Sequence, residues 1–247
     1  MSAYSAIILG ILQGLTEFLP ISSSGHLVIV QNLIPDFAQP GILFDVILHV
    51  GTAFSIIVYF RRSIIKLTRK YLTLLIVGTI PAGVVGVIFG DALVSLFSST
   101  LVVGLALVIT GIMNYVTDKV KGRVGKVNFT RAVTIGVAQM FAMIPGISRS
   151  GATIFAGATS GLKRKEACEF SFLLAVPVIL GASVLQTLEL NVNNGVDAGF
   201  YVTGFICAFV SGLVAIKIVF ELLIAQKFKY FSVYCLLLGI IVILFSV

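Results

Sequence analysis

Apolar residues in this chain neither alternate with polar ones nor recur on a single helical face; they run on in long blocks. Six blocks stand out, at about 42–60, 71–90, 100–117, 167–190, 199–216 and 231–247. Most hold close to the roughly 20 residues that span about 30 Å of hydrocarbon at about 1.5 Å per residue, so each predicts a transmembrane helix. Two further apolar stretches, 1–40 and 132–162, are interrupted near their middles. Pro20 with Ser22–Gly25 splits the first, and Pro145 with Ser148–Gly151 splits the second. The halves of the second have about 12 to 15 residues, or roughly 18–22 Å, which is too short to cross. Each stretch therefore predicts a re-entrant hairpin, helix–loop–helix, that dips into the bilayer and returns. Irregular backbone at that depth is tolerated only where protein buries it or where it lines a cavity. The predicted fold is an all-α polytopic membrane protein with six transmembrane helices plus two re-entrant hairpins.

The two broken stretches are alike. A shift of 126 residues places Gly10 on Gly136, Gln13 on Gln139, and the string Ile21–Gly25 (ISSSG) on Ile147–Gly151 (ISRSG). The register continues through Phe44 on Phe170, and through Gly78, Ile80, Ala82, Val84 and Gly86 on Gly204, Ile206, Ala208, Val210 and Gly212. The chain reads as one integral membrane domain, 1–247, built from repeats at about 1–118 and 127–247.

Composition and charge sharpen the picture. Apolar residues are 58% of the chain and charged residues 11%, with a mean hydropathy of +1.12. A soluble domain carries roughly 25% charge, so soluble, disordered and nucleic-acid-binding proteins are excluded. The net charge of +7 becomes a statement about topology. Arg61–Lys70, Lys119–Arg131, Lys163–Lys165 and Lys217–Lys229 hold the basic clusters, and positive loops stay inside. Asp36, Asp91, Asn194, Val247 and both termini are then expected outside, with Asp91 in a turn, and Arg62, Lys121, Arg164 and Lys227 inside. The first hairpin enters from outside and the second from inside, so the repeats have inverted topology, which places a polar site where the two tips meet. Cys168, Cys207 and Cys235 lack metal or disulfide spacing and read as core residues. The first sixty residues hold no Lys or Arg, so no cleavable signal is expected.

The tips carry the candidate chemistry. The first has Gln13, Glu17, Ser22, Ser23, Ser24 and His26; the second has Ser148, Arg149, Ser150 and Thr153. Glu17 is the only formal charge in the apolar part of the first stretch, 3–34, and Arg149 the only one in 132–162. An ionisable group inside a bilayer costs at least about 2–3 kcal/mol and is a functional candidate by default. A simple structural pair would explain the two charges and not the hydroxyls around them. Arg presents a planar fork to phosphate oxygens, and the helix starts at Gly25 and Gly151 offer N–H groups to an anion. A serine needs a base, which Glu17 or His26 could supply, the other then protonating the leaving group. Ser24, directly before Gly25, is the expected N-cap, leaving Ser22 or Ser23 as nucleophile. His49 has no serine triplet with a carboxylate beside it, as His26 has, and reads as structural.

Gln13–His26 (QGLTEFLPISSSGH) and Pro145–Thr153 (PGISRSGAT) resemble the two signature motifs of the bacterial undecaprenyl-diphosphate phosphatase family, membrane enzymes also linked to bacitracin resistance. Glu169–Pro177 (EFSFLLAVP) resembles a third kept stretch. The resemblance covers the whole chain in order. It implies a hydrolase of the bacterial inner (plasma) membrane that converts undecaprenyl diphosphate, a polyprenyl diphosphate lipid, to undecaprenyl phosphate and phosphate for cell-wall synthesis. It implies Glu17, Ser23, His26 and Arg149 as catalytic residues, with Ser23 favoured as nucleophile. Gln13, Ser22, Ser148, Arg149, Ser150 and Thr153 are then the phosphate-binding set. Family members respond to divalent cations, which makes Mg or Ca the candidate cofactor. Gln13 stands where an acidic residue is commoner, and that weakens any site needing two carboxylates. Inverted repeats with broken helices are also a transporter hallmark, so a transporter or flippase for an anionic lipid is the rival. Gly78, Ala82 and Gly86 on one face allow close packing, within the chain or in a homodimer.

Overall fold

A computed structural model describes residues 2–35, 37, 43–120, 125–189, 198–225 and 227–245. Asp36, Lys121, Asn194 and Val247, four of the topology markers above, lie outside the described residues. Among those described, the chain forms eleven helices: α1 Ala3–Thr16, α2 Ser23–Leu33, α3 Leu43–Tyr59, α4 Arg61–Ile65, α5 Arg69–Leu96, α6 Thr100–Lys119, α7 Phe129–Phe141, α8 Arg149–Thr159, α9 Arg164–Glu189, α10 Ala198–Ile224 and α11 Phe228–Phe245. Five of them (α5, α6, α9, α10 and α11) are long and apolar enough to cross a membrane, while α1 and α3 are shorter apolar helices. Their outer faces are apolar as well: Ile76, Val84 and Val87 on α5 and Leu237, Ile241 and Leu244 on α11 are at least half exposed. A surface of this kind is solvated by lipid, not by water.

Both broken stretches fold as short helix pairs, α1–α2 and α7–α8, of 14, 11, 13 and 11 residues. The breaks lie at Glu17–Ser22 and Ala142–Ser148, around Pro20 and Pro145. Ser22 adopts φ +66° and Gly146 φ +98°, turns that a continuing helix does not allow. The freed backbone groups need partners. Helix α6 supplies most of them. Thr110 Oγ1 donates to the Gly146 carbonyl (2.8 Å) and accepts from the Ser148 N–H (3.0 Å), while Asn114 Nδ2 donates to the Pro20 carbonyl (2.6 Å). Ser150 Oγ donates across to the Leu19 carbonyl at 3.0 Å, so the two loops meet directly.

Glycines set the spacing of the long helices. A methyl on Gly10 of α1 would fall 2.6 Å from the Gly204 carbonyl of α10, and one on Gly136 of α7 2.5 Å from the Gly78 carbonyl of α5. Such contacts bring backbones together and let dispersion hold helices in a solvent as apolar as they are. Helix α3 packs against α9 and α10, and α6 against α11. The apolar core follows these contacts, with Phe18, Phe60, Phe172 and Phe220 forming an aromatic cluster in which Phe18–Phe172 and Phe60–Phe220 meet edge to face and the other pairs are tilted.

Two expectations need correction. Asp91 does not lie in a turn: α5 runs past it to Leu96, bending at Phe89 (φ −119°, ψ 20°), and the turn falls at Phe97–Ser98. Gly90 alone does not break a helix that has apolar neighbours on both sides. The N-cap of α2 is Ser22, whose Oγ accepts from the Gly25 N–H at 3.2 Å, and not Ser24. The hydroxyl of a cap reaches the N–H three residues on, which excludes Ser24 from Gly25. Ser148 caps α8 in the same way, accepting from Gly151 at 3.1 Å.

Candidate functional site

Glu17 ends α1 and turns its carboxylate into the space between the two loops, where the residue is 6% exposed. Both of its oxygens are hydrogen-bonded. Oε2 accepts from Gln13 Nε2 at 2.9 Å, one helical turn back, and from Ser23 Oγ at 2.5 Å. Oε1 accepts from Arg149 Nη2 at 2.5 Å, and the same guanidinium donates through Nη1 to the Ser171 carbonyl at 3.2 Å. Glu17, Ser23 and Arg149 thus form one hydrogen-bonded cluster drawn from both broken stretches. Ser23 and Arg149 are the first helical residues of α2 and α8, so both helix N-termini open here and carry N–H groups without intrahelical acceptors.

The cluster closes one end of a cavity of about 590 Å³. Glu17, Ser22, Ser23, Ser24, His49, Gln139 and Arg149 make its polar end. Its walls are apolar, from the bent end of α5 (Val87, Ile88, Phe89) and from α9 (Val178, Ile179, Leu185), with Asp91 at the margin. Val87, Ile88 and Phe89 are 68%, 64% and 55% exposed, so these wall residues also face the lipid side of the protein.

The remaining expected site residues lie elsewhere. His26 does not line the cavity. Its Nδ1 is 2.7 Å from the Ser22 carbonyl and its Nε2 2.7 Å from the Tyr234 hydroxyl, with the two rings stacked at 12°. A carbonyl only accepts, so Nδ1 carries the proton and Nε2 receives one from Tyr234. Ser148 and Ser150 are spent on the α8 cap, on each other and on the Leu19 carbonyl. Thr153 Oγ1 pairs with Ser171 Oγ at 2.5 Å. The three brace the second tip and do not line the cavity. Gln13 holds Glu17 through Nε2, while its Oε1 is buried without a partner.

His49, expected to be structural, stands in the site instead. Its Nε2 is 3.5 Å from Glu17 Oε2, its Nδ1 is 2.7 Å from the Asp45 carbonyl, and its side chain is 24% exposed, into the cavity. The packing of α3 against α1 brings it there, and no local sequence signal announces that contact. Tyr234 was equally hidden, as one aromatic in an apolar block.

A divalent cation does not fit this donor set. Among the described residues, no three His, Cys, Asp or Glu side chains converge. The one central carboxylate already holds a guanidinium on one oxygen and two donors on the other.

A family model described as Bacitracin resistance protein BacA matches residues 6–241. An undecaprenyl-diphosphatase of Syntrophotalea carbinolica is 40% identical over 255 residues, covering 97% of each chain. One of Carboxydothermus hydrogenoformans is 40% identical over 98% of this chain and 97% of its own. One of Halothermothrix orenii is 41% identical over 100% of this chain and 99% of its own.

Proposed function

The chain belongs to the family of the bacitracin resistance protein BacA, and we propose that its reaction, hydrolysis of undecaprenyl diphosphate to undecaprenyl phosphate and inorganic phosphate, takes place at the Glu17–Ser23–Arg149 cluster. The observation that carries this placement is the shape of the cavity. A carboxylate, a hydroxyl and a guanidinium share its polar end, and its walls are apolar residues that also face lipid. A diphosphate headgroup fits the first part, while a prenyl tail keeps to the apolar wall and the bilayer.

The chemistry follows from the contacts. Ser23 already donates to Glu17 Oε2, so the carboxylate takes the proton as the hydroxyl oxygen attacks the terminal phosphorus. Arg149 and the N-termini of α2 and α8 neutralise charge on the transferred group. Water then releases phosphate from the phosphoserine. His26 holds the Ser22 carbonyl and with it the turn that aims Ser23. A pure carrier would need donors for its anionic cargo but no hydroxyl placed on a carboxylate. Phosphate release from a polyprenyl diphosphate by the purified chain in detergent, where transport has no meaning, tests the reading. Turnover is expected, and its absence would leave a carrier.

We also propose that α1–α2 and α7–α8 are re-entrant hairpins in two inverted repeats, with α3 as the sixth span of a plasma-membrane protein. The Gly10–Gly204 and Gly136–Gly78 contacts support this, since the 126-residue offset exchanges one pair for the other. The basic clusters then lie inside and the site opens outward. Arg164 is buried against the Thr117 and Val120 carbonyls, so exposed Lys163 is the better inner marker. In a background lacking Cys168, Cys207 and Cys235, an impermeant thiol reagent applied to intact cells is expected to label cysteine at Asp91 and to spare Arg62, Lys163 and Lys227. Labelling at Lys163 would overturn the orientation.

A further inference from the structure

The chain has two histidines, and the structure gives them opposite surroundings. Both nitrogens of His26 are occupied, by the Ser22 carbonyl and the Tyr234 hydroxyl. His49 uses only one. Its Nδ1 donates to the Asp45 carbonyl, which fixes the ring and leaves Nε2 aimed at Glu17 Oε2, the same oxygen that accepts from Ser23. The imidazole lines the cavity in which the headgroup would lie.

Resting on the phosphatase reading, we infer that His49, not His26, is the acid and base that partners Glu17. As Ser23 attacks, its proton passes to Glu17 Oε2. The bond from phosphorus to the bridging oxygen breaks with its electron pair, and that oxygen takes the proton from His49 Nε2, releasing the prenyl phosphate. Water then attacks the phosphoserine and gives its proton to the vacant Nε2. The Ser23 oxygen leaves and recovers the proton held by Glu17, and inorganic phosphate is released.

The charged groups sharing the cavity with His49 are Glu17 beside α1, Arg149 of α8 and Asp91 of α5; Asp45, on its own helix, accepts from Gln31. Helices α9 and α10, also packed on α3, add no charged group to the cavity.

The test uses the full chain in detergent with a polyprenyl diphosphate. His49→Gln is expected to lower kcat by about 100-fold with KM within about threefold, and to let phosphoserine accumulate at Ser23. His26→Gln is expected to lose activity without that accumulation. Full activity in His49→Gln, or loss of activity there without phosphoserine accumulation, overturns the assignment. Wild-type chain that releases no phosphate would sink the phosphatase reading itself. A second measurement needs no variant: diethyl pyrocarbonate should inactivate the wild-type chain in step with modification at His49. Inactivation that tracks His26 instead would overturn the proposal.

Discussion

Replacing Ser23 with alanine is expected to remove phosphate release by about 10³- to 10⁶-fold while the chain still folds, because loss of a nucleophile removes the step itself. Three serines stand in a row, and their hydrogen bonds separate them. Ser22 Oγ accepts from the Gly25 N–H as the cap and lies 3.3 Å from Ser24 Oγ, so these two hydroxyls are engaged with the cap and with each other. Ser23 Oγ alone reaches a base, at 2.5 Å from Glu17 Oε2. Ser22→Ala should accordingly destabilise the chain by about 1 kcal/mol through loss of the cap, and lower turnover only as far as the turn relaxes. Acid quenching should trap a phosphoserine in the wild-type chain and none in Ser23→Ala. If Ser23→Ala retains more than a few per cent of its turnover, the attacking group is water activated by Glu17.

The parts of this site that were legible in the sequence are those in which neighbours in the chain remain neighbours in space. Pro20 and Pro145 end helices because proline lacks the N–H that a continuing helix needs, and the breaks fall around them. Glu17 and Arg149 announced themselves as charges in apolar stretches, and they pair. The misplaced features depend on distant packing or on single-residue register. His49 reaches Glu17 only because α3 packs on α1, 32 positions apart in sequence. Thr110 and Asn114 carry no sequence signal of their own in an apolar helix, yet they bond backbone groups of both loops. The shift of the cap from Ser24 to Ser22 turns on the exact start of α2, which composition does not fix. The serines and threonine of the second tip had the right chemistry for phosphate, but the loop needed them for its own backbone.

Arg149→Lys is expected to lower turnover by about 100-fold although the charge survives. The guanidinium bridges two acceptors at once, Glu17 Oε1 at 2.5 Å and the Ser171 carbonyl at 3.2 Å, while its other N–H donors remain for phosphate. A lysine ammonium is a point charge that cannot hold that geometry. Arg149→Gln should do more harm, since it removes the guanidinium that pairs with the Glu17 carboxylate, whose side chain is 4% exposed. Breaking one partner of a buried pair typically costs about 3–5 kcal/mol, discounted here because the Arg149 side chain is 16% exposed. The double change Glu17→Gln with Arg149→Gln separates structure from chemistry. With no charge left unpaired, its thermal stability in detergent should recover above that of Arg149→Gln. Its turnover should not recover, because both the base for Ser23 and the phosphate clamp are gone. If turnover returned along with stability, the pair would be a fastener between the two loops, and the catalytic groups would have to be sought elsewhere in the cavity.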